Sequence, residues 1–193
     1  MSDTMTTGAR RWTVNDLKTL PDDGNRYELI DGELHVTSAP HFWHQIVQGN
    51  VEIALGNWSR QSGAGLTAPG PGVIFSPTDA VIPDVVWVSR ARLPEILGED
   101  GKLHAAPELA VEVLSPGTTN VERDRVTKRR HYGDWGVQEY WIVDRFARTV
   151  EVFRLAEGAL QLVTTLLETD TLASPLLPGF SCPVAALFAD LPA

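Results

Sequence analysis

A glutamate stands inside the most apolar run of the chain, Leu109-Ala-Val-Glu-Val-Leu114. The run reads as a strand buried on both faces. Strand alternation puts Glu112 on the same face as Ala110 and Leu114. An ionised carboxylate in that position must be paired, protonated or bound to a cation, because desolvating it alone is costly. A partner arginine, or an edge strand with one wet face, would be the ordinary explanation.

A second acid, Asp84, lies in Ile82-Pro-Asp-Val-Val-Trp-Val88, at the mouth of another strand, where proline is tolerated. Pro-Asp pairs also serve as simple turn caps. Two acids 28 residues apart on separate strands can nevertheless converge at one point of a sheet. Two carboxylates and a backbone carbonyl make a hard oxygen site suited to Mg²⁺ or Mn²⁺. An ion held there acidifies bound water and neutralises charge on a phosphoryl oxygen.

Around these strands the pattern is mixed. Thr13 and Asp16 mark the start of a short helix ending before Pro21. Arg26–Ser38 reads as a hairpin turning at Asp31-Gly32. Pro40 opens a helix to about Arg60, with Val47, Val51, Leu55 and Trp58 at helical spacing. The stretch SGAGLTAPGPG reads as a loop, followed by strand-like GVIFS and AVIPDVVWVS. Thr119-x-x-Glu122 is a capping-box pattern opening a helix to about Gly133. EYWIVD, TVEVFRL and ALQLVTTL follow as strands. Strands alternating with helices in the middle and forming hairpins at both ends predict an α/β fold, a mixed sheet flanked by helices. Residues 1–12 are expected to be a flexible N-terminus and 13–193 a single domain.

The bulk numbers exclude some classes. No apolar run approaches the roughly 20 residues needed to span a bilayer, and no signal peptide follows the first arginines. The single cysteine, Cys182, excludes an intramolecular disulfide framework. A cytoplasmic protein with no membrane partner is expected. The net charge of −9 argues against a nucleic-acid partner, but its distribution softens the objection. No lysine or arginine follows Arg154, whereas residues 121–132 carry Arg123, Arg125, Lys128, Arg129 and Arg130.

Pro83-Asp84 followed by the strand acid Glu112 resembles the PD-(D/E)xK nucleases, whose signature is Pro-Asp and then (Asp/Glu)-x-Lys, and the wider pattern resembles the bacterial Uma-two family of restriction endonucleases. The matching stretches are Tyr27–Leu34, Pro83-Asp84, Glu112–Pro116, Asp124…Lys128…Tyr132, Gly136–Asp144 and Ser174–Phe180, in family order. The resemblance implies a restriction-endonuclease-like fold with an N-terminal hairpin and C-terminal antiparallel strands. It also implies Mg²⁺-dependent hydrolysis of DNA, with Asp84, Glu112 and the Val113 carbonyl holding the metal. Glu28, in the Tyr-Glu-Leu stretch, would be a further acid for a second metal or its water.

This chain departs from the superfamily at position 114, where Leu114 stands in place of the lysine. The resemblance moves that lysine to the following helix, as Lys128. Val121, Arg125, Lys128 and Tyr132 share one stripe at helical spacing, and its apolar ends point it inward. Cations on an inward stripe need an anionic partner. The alternative is a solvated helix with Lys128 pairing Asp124. Arg125, His44 and Gln48 are the expected substrate contacts, and a symmetric homodimer would cut both strands. A catalytically silent interaction or nucleic-acid-binding module is the rival function; a two-carboxylate glycosidase is a third, distinguished by indifference to chelators.

Overall fold

The computed structural model describes residues 10–117 and 121–192. Thr13 and Asp16 form a complete capping box for α1 (Val14–Leu17). Of the expected flexible segment, residues 1–9 lie outside the described residues; Trp12 N–H donates to the Gly32 carbonyl at 2.8 Å, placing that end against the first hairpin.

That hairpin, β1 (Arg26–Ile30) and β2 (Glu33–Thr37), turns at Asp31 and Gly32, both at positive φ, as the Asp-Gly pair predicts. It joins β4 (Val73–Ser76) and β5 (Asp79–Val81) in a four-stranded sheet of order β2-β1-β5-β4. A larger sheet has the order β10-β9-β8-β7-β6-β3. Its members are β3 (Gly65–Pro69), β6 (Val85–Ser89), β7 (Leu109–Val113), β8 (Glu139–Asp144), β9 (Thr149–Ala156) and β10 (Ala159–Leu167). β7 and β8 run parallel and the other pairs antiparallel, so the sheet is mixed as expected. β11 (Thr171–Leu172) and β12 (Cys182–Pro183) form a short ribbon before α5 (Val184–Leu187).

Two local expectations are corrected. The Gly/Pro-rich stretch is not all loop: Gly65–Pro69 pairs with β6 as an edge strand, where a terminal proline leaves no ladder bond unmade. The run AVIPDVVWVS is not one strand. It breaks at Ile82-Pro83-Asp84, with β5 in the small sheet and β6 in the large one. Proline has no N–H to donate there, and the Ile82 N–H is taken by the Glu28 carboxylate at 2.8 Å. Asp84 therefore sits where the chain changes sheets.

The central strands are buried on both faces. Val111, Val113, Trp141 and Val143 pack against α2 (Phe42–Ser62) through Val47, Val51 and Leu55. Burying each of those three side chains contributes about 1.5–3 kcal/mol. On the other face Ala110, Leu114, Tyr140 and Ile142 meet Tyr132 and the small sheet's Ile30, Val73 and Val81. α3 (Leu93–Ile96) lies between β6 and β7 in sequence.

The β7–β8 crossover carries a π-helical segment, Arg123–Lys128, running directly into α4 (Arg129–Asp134). Thr119, the expected capping residue, lies outside the described residues. Among the described residues, no helix is long and apolar enough to cross a membrane.

Candidate active site

Glu112 is 4 % exposed and its face is the one alternation assigns. Its Oε1 accepts from Lys128 Nζ at 2.9 Å and from the Tyr132 hydroxyl at 2.7 Å. Lys128, 2 % exposed, also lies 2.9 Å from Glu28 Oε1, which β1 brings from the small sheet. The ammonium thus bridges two acids that are 84 residues apart in sequence.

Asp84, 3 % exposed, is held on all sides. Oδ1 accepts from Arg26 Nη1 at 2.9 Å, and Oδ2 accepts from Val113 N–H at 2.9 Å. That last bond fixes Asp84 beside the end of β7, next to Glu112. His44 Nε2 lies 3.1 Å from both Asp84 Oδ2 and the Val113 carbonyl. Both partners are acceptors, so Nε2 carries the proton. Burial, then Arg26 and Arg145, lower the His44 pKa to about 4, so the ring is neutral at pH 7. Gln48 Nε2 donates to the Asp84 carbonyl at 2.8 Å.

These groups surround a pocket of about 310 Å³ lined by Arg26, Glu28, His44, Asp84, Glu112, Val113, Arg123, Asp124 and Lys128, among others. Its described lining holds four carboxylates against three Lys or Arg cations. Burial, opposed by Lys128 and reinforced by Asp84 and Glu28, pushes the Glu112 carboxyl up to about 7. Burial likewise raises Asp84, and it pushes Asp124 up to about 6. Glu28 is held low despite burial, chiefly by Lys128. Lys128 itself is raised, the acids around it outweighing its desolvation.

The structure therefore brings Asp84, Glu112, Val113, Lys128, Glu28 and His44 together. It places two expected substrate contacts elsewhere. Gln48 is behind Asp84 and does not line the pocket. Arg125 pairs with Asp144 at 3.2 Å and Glu151 at 3.1 Å, on the flank of the helix. The π-helical turn is the physical reason, because its wider turn breaks the 3.6-residue stripe. The residues actually buried on this helix are Asp124, Lys128, His131, Tyr132 and Gly133. Arg123, not Arg125, lines the pocket, donating to Thr37 Oγ1 at 2.9 Å. Arg26 and Asp124 were not among the site residues expected from the sequence. Both were findable: Arg26 shares a strand face with Glu28, and Asp124, four residues before Lys128, shares its helix face.

Comparison with curated proteins gives no match. Among solved structures, "a putative nuclease belonging to DUF820" from Anabaena variabilis ATCC 29413 is similar over 92% of this chain and 97% of that one, with TM-score 0.73 and 19% identity. It shows a shared fold, the restriction-endonuclease-like mixed sheet with flanking helices. The type IIG restriction endonuclease BpuSI is more distantly similar, over 76% of this chain and 15% of that one, with TM-score 0.42 and 14% identity. Over residues 14–185 the sequence matches the Uma2 family model, described as "Putative restriction endonuclease", and the chain belongs to that family.

Proposed function

We propose that this pocket hydrolyses phosphodiester bonds of DNA with a divalent ion, Mg²⁺ or Mn²⁺, held by Asp84, Glu112 and the Val113 carbonyl. The donor chemistry fits. All donors are oxygens, the pocket has one carboxylate more than its Lys and Arg cations, and Glu112 Oε2 has no hydrogen-bond partner among the described residues. Such an ion, when bound, acidifies a water and neutralises phosphoryl charge. Glu28, whose Oε1 likewise takes Lys128 together with the Ile82 N–H, is the further acid for a second metal or its water.

Lys128 stays protonated between its two acids, so its part is to orient the attacking water and stabilise negative charge at phosphorus, not to remove a proton. Arg26 and Arg123 reach the pocket and suit the flanking phosphates. His44 and Gln48 position Asp84. Cutting both strands of a duplex would take two such sites, hence a symmetric dimer.

The observation that carries this proposal is the Lys128 ammonium 2.9 Å from both Glu28 and Glu112, in a pocket that also holds Asp84. Supercoiled plasmid incubated with the protein should be nicked or linearised with Mg²⁺ or Mn²⁺, and left intact with EDTA or with Glu112→Gln. The alternative, a silent binding module, is favoured by the internal pairing of every acid and by the net charge of −9. Metal-independent DNA binding without cleavage would establish it instead.

A further inference from the structure

A second cluster lies outside the pocket. Asp31 at the β1–β2 turn, Asp79 at the start of β5 and His131 on α4 present one donor atom each, all within 4.8 Å of one another. None of the three lines the pocket. His131 is 2 % exposed, and its Nε2 has no hydrogen-bond partner among the described residues. That atom faces Asp79 Oδ1 at 3.8 Å, too far for a hydrogen bond.

The arrangement around it is prepared. Asp79 Oδ1 accepts the Asp31 N–H at 2.8 Å, while Oδ2 accepts from Ser76 at 2.6 Å and Thr78 at 3.0 Å. The imidazole stands nearly perpendicular to the stacked rings of Phe75, 5.3 Å away, and Trp135, 6.4 Å away. A buried imidazole aimed at a carboxylate without bonding to it is an unusual use of a polar group. An ion at bond lengths of about 2.0–2.2 Å brings its donors to roughly 3–4 Å of one another, so a small inward movement would close this set.

The geometry points to a second divalent-cation site, formed by Asp31, Asp79 and His131 and selective for a transition metal such as Zn²⁺. One imidazole nitrogen and two carboxylates suit Zn²⁺ better than Mg²⁺, which prefers an all-oxygen shell. Asp31 is exposed and gives the ion its way in; the Arg130 guanidinium, 2.6 Å from Asp31 Oδ2, must swing aside. Once filled, the site ties the first hairpin and β5 to the helix that carries Lys128 and Tyr132. It does not depend on the nuclease activity.

The test uses the full chain carrying Glu112→Gln, which removes an acid of the pocket, and Zn²⁺ titrated by calorimetry. One Zn²⁺ should bind per chain. Adding Asp31→Asn should weaken it at least 10-fold; asparagine tolerates the positive φ of this turn, so the hairpin is kept. Mg²⁺ should not compete. No Zn²⁺ binding by the Glu112→Gln protein, or binding that Asp31→Asn leaves unchanged, overturns the site. Failure of the plasmid assay leaves it standing, because neither measurement reads DNA cleavage.

Discussion

The Tyr132 hydroxyl donates to Glu112 Oε1 at 2.7 Å across the space between α4 and β7. The Glu112 carboxylate and the Lys128 ammonium bound to it are thus packed under an aromatic ring that is itself wholly buried. Tyr132→Phe removes one charge-assisted hydrogen bond and leaves the ring. It should cost about 1–3 kcal/mol. For a chain of this size that corresponds to a loss of roughly 2–4 °C in Tm per kcal/mol. Thermal melts at pH 7.5 measure it, and an unchanged Tm would show that this bond contributes nothing.

Removing Lys128 is a different matter. Lys128→Ala strands Glu28 and Glu112 in the interior next to Asp84, and breaking such buried pairs costs about 3–5 kcal/mol. A divalent ion in the pocket would offset part of that charge. Lys128→Ala should therefore melt well below wild type in EDTA, and Mg²⁺ should raise its Tm more than it raises the wild type's. Turnover on plasmid should fall by at least about 10²-fold even where the variant is folded. Equal Mg²⁺ shifts in the two proteins would argue against a cation site beside Lys128.

The Glu112 carboxyl ionises near 7 in the folded chain against 4.5 ordinarily, so the folded state holds the extra proton between those values. Metal-free stability should then fall as pH rises from about 4.5 to 7 and level off above. Asp124 adds to the same slope, rising from 3.8 to about 6. Glu28 works in the opposite sense, since a depressed carboxyl loses its contribution as pH falls below its ordinary value. Metal binding needs the ionised form, so it should release protons below pH 7. Melts across this range in EDTA should show the slope, and Glu112→Gln should flatten it. A Glu112→Gln profile parallel to wild type would refute the assignment.

Arg123 and Arg125 should separate cleanly despite lying two residues apart. Arg125→Ala breaks a half-exposed pair with Asp144 and Glu151, worth about 0–1 kcal/mol, and should leave plasmid cleavage near normal. Arg123→Ala removes a cation from the pocket wall and should raise KM with little change in kcat. Its salt dependence of binding should fall by about one counterion. The reverse pattern would put Arg125 on the substrate after all.

How much of this was legible in the sequence differs by residue. Glu112 announced itself, because a charge inside a strand-length apolar run has few physical outcomes, and alternation alone chose its face. The Asp31-Gly32 turn and the Thr13–Asp16 capping box were equally local and equally readable. The identity of Glu112's partners was not, since Lys128 and Glu28 arrive from a helix and another sheet. Nor was the sheet change at Ile82-Pro83-Asp84. A continuous apolar run and an interrupted one look alike until the Glu28 carboxylate claims the Ile82 N–H. Arg125 failed for a related reason: helical periodicity assumes 3.6 residues per turn, and the π-helical segment at Arg123–Lys128 departs from it. Short-range hydrogen bonding and side-chain alternation are written in neighbouring residues, so the chain alone determines them. Which buried charges meet depends on packing between segments far apart in sequence, and only the tertiary structure decides that.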